Sequence, residues 1–150
     1  MDTDFIFCYN SCHNVEGVVK TARMSEKNKP PTILYVEDDT NNRVLIRRVL
    51  MAEGYEVVEA RNGPEGIELA QTAHPDLVLM DINLPEMDGY EATARLRALD
   101  DMRGVPIIAV TANVMKGDRE KTLAAGCSGY IQKPIDVDRL PGQLVVFLRR

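Results

Sequence analysis

The chain has little of several features that define other classes of protein. It contains no tryptophan and no excess of basic residues, since its formal charge at pH 7 is −5. No apolar run approaches the ~20 residues of a membrane span. The N-terminus carries Asp2 and Asp4, where a secretory signal is basic. These absences argue against membrane insertion, export and direct nucleic-acid binding, and they predict a cytoplasmic protein.

Cysteine is also scarce. The chain has three cysteines, which form no disulfide framework. Cys8, Cys12 and His13 give a C-x-x-x-C-H pattern. This pattern is one residue too long for haem attachment and lacks the second ligand pair of a zinc site. The sequence therefore indicates neither haem nor structural zinc.

The length and the periodicity predict one folded domain. At 150 residues, 45% of them hydrophobic, the chain can bury a sizeable core. No sustained periodicity runs through residues 1–29, so we predict a weakly structured N-terminal extension there and a folded domain over 30–150. The polar stretch from Met24 to Pro31 is typical of a natural N-terminus. We hypothesise that translation can start at Met24, which the intact mass of the native protein would test.

From Thr32 onward, apolar runs of strand length alternate with stretches of helical spacing. The strands are predicted at residues 32–36, 55–60, 77–80, 105–110 and 129–132. The helices are predicted at residues 43–53, from 64 to before 74, around 92–99, within 114–125 and around 140–148. Five such repeats with short connections predict an α/β fold, in which helices cover both faces of a doubly wound parallel sheet.

The first predicted helix carries an expectation about burial. Leu45, Val49 and Ala52 have the spacing of one apolar face. Arg43 is assigned to the solvated face of the same helix. Thr40 or Asp39 is assigned to the N-cap of this helix, and Asp88 to turn chemistry further along the chain.

The strand at 77–80 ends abruptly on a carboxylate, Asp81, and a loop punctuated by Pro85 and Gly89 follows. Ligands of open parallel sheets collect at the carboxyl ends of the strands. Alone, Asp81 is equally consistent with a simple turn cap, because Asp is common where strands stop. The residues at the other strand ends decide between these interpretations.

Those other strand ends also carry chemically useful side chains. Glu37 and Asp38 follow the first strand, Thr111 follows the fourth, and Lys133 follows the fifth. Three carboxylates in one crevice repel one another unless a cation binds among them, and oxygen ligands of this kind suit Mg²⁺. Lys133 and the Thr111 hydroxyl would neutralise the oxygens of a phosphoryl group transferred to Asp81, which would be the nucleophile.

The joint order and spacing of four motifs from Thr32 to Arg150 resembles the receiver domain of bacterial two-component response regulators. The motifs are the acidic pair after strand one, the D-x-x-L-P-x-M-D-G block from Asp81, Thr111-Ala112 and Lys133-Pro134. The resemblance implies a flavodoxin-like (βα)5 fold with strand order 2-1-3-4-5. It also implies phosphorelay signalling, with a sensor histidine kinase or histidine phosphotransfer protein as donor and a downstream protein as partner.

The resemblance further implies how the acidic residues act. Asp81 accepts the phosphoryl group. Mg²⁺ is bound by Asp38, Asp81 and the backbone carbonyl of Asn83, while Glu37 acts mostly through water. Asn83 and Asn113 flank the expected water path and would tune the lifetime of the aspartyl phosphate.

The remaining implied roles concern the phosphoryl group and the switch. Lys133 pairs with the phosphoryl group, Thr111 moves to hydrogen-bond it, and Ala112 belongs to the same phosphoryl-binding segment. Tyr130 turns inward as Thr111 moves, although by its position it is first of all a half-buried strand aromatic. The peptide bond before Pro134 is expected to be cis.

Further motifs resemble stand-alone regulators of cell division. They are Met115-Lys116-Gly117-Asp118, Gly126-Cys127 and Lys133-Pro134-Ile135. Because the sequence ends directly after the last predicted helix, output is expected to occur by contact. The expected contact surface is the face made by the fourth helix, the fifth strand and the fifth helix.

Rival functions differ in the chemistry that they require. A flavodoxin-type cofactor site needs hydrogen-bond donors after strand one, where this chain has Glu37-Asp38-Asp39. A phosphatase of the haloacid-dehalogenase type needs an acid two residues after its nucleophile, and position 83 is Asn. A turnover enzyme is therefore disfavoured. A phosphate-independent adaptor on the same fold stays open as the alternative.

Overall fold

A computed structural model describes residues 29–113 and 115–149. The predicted N-terminal extension, the proposed start at Met24 and the Cys8, Cys12 and His13 pattern lie outside the described residues, except for Lys29 at the extension's end. The division of the chain at residue 30 stays a prediction.

Five parallel strands form one sheet within the described residues. They are β1 Thr32–Val36, β2 Glu56–Ala60, β3 Leu77–Asp81, β4 Ile107–Thr111 and β5 Gly129–Gln132. Their order is β2-β1-β3-β4-β5. The predicted flavodoxin-like α/β fold and its strand order are confirmed. This order places β3 between β1 and β4, so that the ends of these three strands are neighbours.

Helices connect the strands. They are α1 Thr40–Ala52, α2 Gly63–Ala73, α3 Gly89–Arg97, α4 Lys116–Ala124 and α5 Leu140–Leu148, with a short 3-10 helix at Asp100–Met102. In the described part of the chain, no helix is both long and apolar enough to cross a membrane.

Alternation along the strands builds two cores, one on each side of the sheet. Leu34 and Val36 of β1 face a core that includes side chains of α2 and α3. Ile33 and Tyr35 of the same strand face a second core that includes side chains of α1 and α5. Both faces of the central strands are therefore buried, as a parallel sheet requires.

The predicted buried face of α1 was only partly correct: Val49 is partly buried and packs against the second core. The residues that α1 buries are Arg43, Ile46 and Leu50, whereas the side chain of Leu45 is 50% exposed and Ala52 is also exposed. Several apolar side chains in this helix have helical spacing, so periodicity alone could not choose between two stripes. Assigning Arg43 to a solvated face was also wrong, because this charged residue is buried.

Predicted boundaries also shift, most clearly those of β4 and α3. β4 begins at Ile107 rather than at residue 105, because Pro106 has no N–H to give to a neighbouring strand. Pro106 still contributes its carbonyl, which accepts a hydrogen bond from the Val78 N–H at 2.9 Å. α3 ends at Arg97, and Leu99 packs against the core from just beyond it.

Aspartates cap two of the helices that begin at the carboxyl edge of the sheet. The Asp39 carboxylate accepts a hydrogen bond from the Asn42 N–H, and that of Asp88 accepts one from the Glu91 N–H, each at 2.8 Å. These are N-cap contacts. They confirm the capping role predicted for Asp39, and they hold the loops that follow β1 and β3 in place.

Candidate functional site at the carboxyl edge of the sheet

Asp81 is the last residue of β3, and only 1% of it is exposed. Its Oδ2 accepts a hydrogen bond from Lys133 Nζ at 2.9 Å. Its Oδ1 accepts one from the backbone N–H of Asn83 at 3.0 Å. Each carboxylate oxygen therefore has a donor that stabilises its negative charge.

Glu37 is equally buried and lies directly beside Asp81. Its Oε2 accepts a hydrogen bond from the Tyr35 hydroxyl at 3.2 Å and lies 3.3 Å from Lys133 Nζ. Its Oε1 accepts one from the Asp39 N–H at 3.2 Å. Lys133, in the loop after β5, therefore lies between the two buried carboxylates and forms an ion pair with each of them.

Asp38 completes an acidic cluster with Glu37 and Asp81. One carboxylate oxygen from each residue can be chosen so that all three lie within 4.8 Å of one another. Asp38 is exposed, so the cluster opens to solvent on its side. A set of oxygen donors that is part buried and part open fits Mg²⁺, which keeps several waters when it binds to proteins.

The electrostatics of the site follow from this crowding. Burial, followed by the negative charge of Asp81, raises the pKa of Glu37 to about 7. Burial alone would lower the pKa of Lys133, but its hydrogen bond and ion pair with Asp81 raise the pKa above its usual value. The pKa of Tyr35 is raised by burial and then by Glu37. The site holds more negative than positive charge, which favours a cation.

Thr111 ends β4 and is 5% exposed. Its hydroxyl donates to the carbonyl oxygen of Asn113 at 3.1 Å and accepts from the Asn113 N–H at 3.2 Å. The hydroxyl is therefore engaged with its own loop. The side chains of Ala112 and Asn113 are exposed.

The loop after β5 forms one wall of the site. The Lys133–Pro134 peptide bond is cis. A cavity of about 400 Å³ runs from Lys133 and Glu37 between α1 and this loop, and its further lining includes Tyr35, Leu45, Ala112 and Pro134. Tyr130 of β5 is 38% exposed.

Sequence reasoning missed three residues that shape the site. Arg43 is buried and holds the loop after β1. The hydroxyl of Tyr35 reaches Glu37 because residues two apart in a strand share a face; this alternation was a usable signal. Gly89 packs against the backbone of Asp81 and Ile82, and the sequence showed it only as a turn residue.

Comparison with known proteins identifies the family. The model of the response regulator receiver domain matches residues 33–144. The polar-differentiation response regulator DivK of Brucella anthropi is 48% identical over 110 residues, which span 73% of this chain and 89% of that protein. The DivK protein of Brucella ovis is 47% identical over 108 residues, 72% of this chain and 88% of its own length.

Solved structures agree. The chemotaxis protein CheY4 of Vibrio cholerae is 28% identical, with a TM-score of 0.77 and coverage of 79% of this chain and 99% of that one. The receiver domain of a Pseudomonas aeruginosa sensor histidine kinase is 39% identical, with a TM-score of 0.75 and coverage of 81% and 99%. That structure holds a magnesium ion in its active-site cleft.

The chain belongs to the response regulator receiver family, which is a class of phosphorelay signalling proteins and not of classical enzymes. Within this class it is similar to DivK over most of its length. The predicted family, the likeness to DivK and the predicted signalling function are confirmed. Receivers of this family interact with kinases or phosphotransfer proteins and with downstream partners.

Proposed function

We propose that Asp81 is the phosphoryl acceptor. In the transfer, the P–N bond of a phosphohistidine on a sensor kinase or phosphotransfer protein breaks and a P–O bond to an Asp81 carboxylate oxygen forms. The imidazole leaves with the bonding electron pair and takes up a proton. The observation that carries this proposal is the contact of Lys133 with the Asp81 carboxylate, inside a cluster of two further acids.

We further propose that Asp38, Asp81 and the Asn83 carbonyl bind Mg²⁺, with Glu37 acting through water. When bound, Mg²⁺ would supply positive charge to neutralise the phosphoryl oxygens. The protein's own contribution is to hold Lys133 beside Asp81. There its ammonium can pair with the negatively charged oxygens of the incoming phosphoryl group. The same groups would allow slow self-dephosphorylation, whose rate Asn83 and Asn113 would tune from the rim.

Thr111 and Tyr130 would couple the site to a partner. To bond a phosphoryl oxygen, the Thr111 hydroxyl must leave Asn113, which moves the loop between β4 and α4. Tyr130 would then turn inward on β5. The face of α4, β5 and α5 would change with it, and this face exposes Leu123, Tyr130 and Val146. Apolar side chains on one surface favour a protein partner.

Because histidine kinases use ATP, we place the phosphoryl transfer to Asp81 in the cytoplasm.

The phosphate should be carried by Asp81 alone. With a small phosphodonor such as acetyl phosphate and Mg²⁺, the native protein should gain one phosphate that is stable to acid and labile to base, as measured by intact mass. Asp81→Asn should gain none. Asp88→Asn, which removes a carboxylate from the following loop but keeps a capping side chain, should gain one as before. Phosphate on Asp81→Asn would contradict the assignment, and no phosphate on any variant would favour the adaptor.

The coupling can be tested by NMR on the same sample. Phosphorylation should shift the amide resonances of α4 and β5 as well as those around Asp81, since the two regions would switch together. Residues of β2 and α2 should keep their resonances and serve as the internal control. Shifts confined to the loops around Asp81 would count against this partner face.

A further inference from the structure

Arg43 is a buried arginine in the helix that borders the acidic site. It lies one turn into α1, the residue is 9% exposed, and its guanidinium points back at the loop after β1. Nη1 donates to the carbonyl oxygen of Glu37 at 2.7 Å and to that of Asp38 at 2.8 Å. Nη2 donates to the Thr40 hydroxyl at 3.0 Å. One side chain thus contacts the backbone of both acids of the pair.

These contacts are to the backbone, although carboxylates lie close by. Arg43 has no ion pair with a carboxylate in the described part of the chain. Its planar guanidinium has several donors in a fixed arrangement, so it can hold two carbonyl groups at once. A lysine ammonium lacks this fixed, fork-shaped arrangement of donors. Arg43 therefore fixes the peptide units from which the side chains of Glu37 and Asp38 extend.

We infer that Arg43 is a positioning residue for metal binding. It holds the loop after β1 so that the carboxylates of Glu37 and Asp38 already face Asp81 before the ion arrives. This inference rests on the proposed function, in that Mg²⁺ is the ion. A donor set arranged in advance loses less conformational freedom when the ion binds, and residues behind metal ligands commonly change metal affinity by about 10–100-fold.

The sign of the effect separates this role from two simpler ones. If Arg43 were only a positive charge near the acids, removing it would tighten Mg²⁺ binding, because repulsion of the cation would fall. If Arg43 only stabilised the fold, the folded variant would bind Mg²⁺ as the native protein does. Of these three roles, only positioning predicts that removal of Arg43 weakens Mg²⁺ binding.

The experiment is a calorimetric Mg²⁺ titration of the full chain and of variants whose folding is checked by circular dichroism. Arg43→Met keeps the bulk but removes every donor, and its Kd for Mg²⁺ should rise about tenfold. Arg43→Lys keeps the charge without the fork, so its Kd should rise in the same direction. Arg47→Met, one turn further along α1, removes an exposed charge paired with Glu59 and is the matched control. Its Kd should stay within about twofold of the native value.

Thr40→Val provides a second route if Arg43→Met does not fold. Thr40 is exposed, and the substitution removes the hydroxyl that accepts the hydrogen bond from Arg43 Nη2. It should weaken Mg²⁺ binding in the same direction as Arg43→Met but by a smaller factor. Unchanged or tighter binding by the folded Arg43 variants or by Thr40→Val would overturn the inference. A native protein that binds no Mg²⁺ would overturn the proposed metal site itself, which distinguishes the two failures.

Discussion

Gly89→Ala is expected to lower the free energy of unfolding by about 3 kcal/mol and to slow phosphorylation of the remaining folded protein on the order of a hundredfold. A Cβ on Gly89 would overlap the carbonyl oxygen of Asp81 and lie 2.7 Å from the Cα of Ile82. Both neighbours are backbone, so no rotation of a side chain can relieve the contact. The Gly89 N–H also donates to the Ile82 carbonyl at 2.9 Å, which keeps the two segments together.

The strain should therefore reach Asp81 itself. Either α3 moves away or the end of β3 shifts, and in the second case the carboxylate leaves its position against Lys133. Urea denaturation followed by circular dichroism would measure stability, and the rate of uptake from acetyl phosphate would measure the chemistry. The two measurements separate loss of folded protein from displacement of the site.

Gly142→Ala is the matched control. A Cβ at Gly142 would meet no atom within 4 Å, and the residue lies inside α5. Alanine is the better helix former by up to about 1 kcal/mol, so this variant should be as stable as the native protein or more so. A Gly89→Ala protein with native stability and native phosphorylation would show that the close approach has no role.

Much of the site could be predicted because topology gathers strand ends. Once the alternation of strands and helices was recognised, residues such as Asp81 and Lys133, which are 52 positions apart, had to meet at one edge. The strand order was taken from the family resemblance and agreed with the sheet. Site residues that stand at the ends of strands could thus be predicted from the sequence.

What could not be predicted depends on side-chain direction and close packing. Leu45 and Ile46 are adjacent and equally apolar, and only the packing of α1 on the sheet shows which one is buried. Arg43 was assigned to solvent because charged residues are rarely buried. Its burial became intelligible only when the carbonyl groups that it contacts were known. The closeness of Gly89 to Asp81 likewise has no local signal.

The stability of the metal-free protein should fall as pH rises from about 5 to about 7. The pKa of Glu37 is raised from its ordinary value of 4.5 to about 7, first by burial and then by Asp81. Between these values the folded protein holds a proton that the unfolded chain has released, so raising the pH favours unfolding. The loss should be about 2 kcal/mol in urea denaturation with EDTA present.

Glu37→Gln should flatten this pH dependence, because the amide does not titrate and still accepts the hydrogen bond from Tyr35. Glu68→Gln, on the exposed side of α2, should retain the full decline and is the matched control. Mg²⁺ should offset the decline in the native protein, because it binds the ionised carboxylates of the folded state only. Stability that rises through this window without metal would contradict the raised pKa of Glu37, because the folded protein would then release its proton as readily as the unfolded chain.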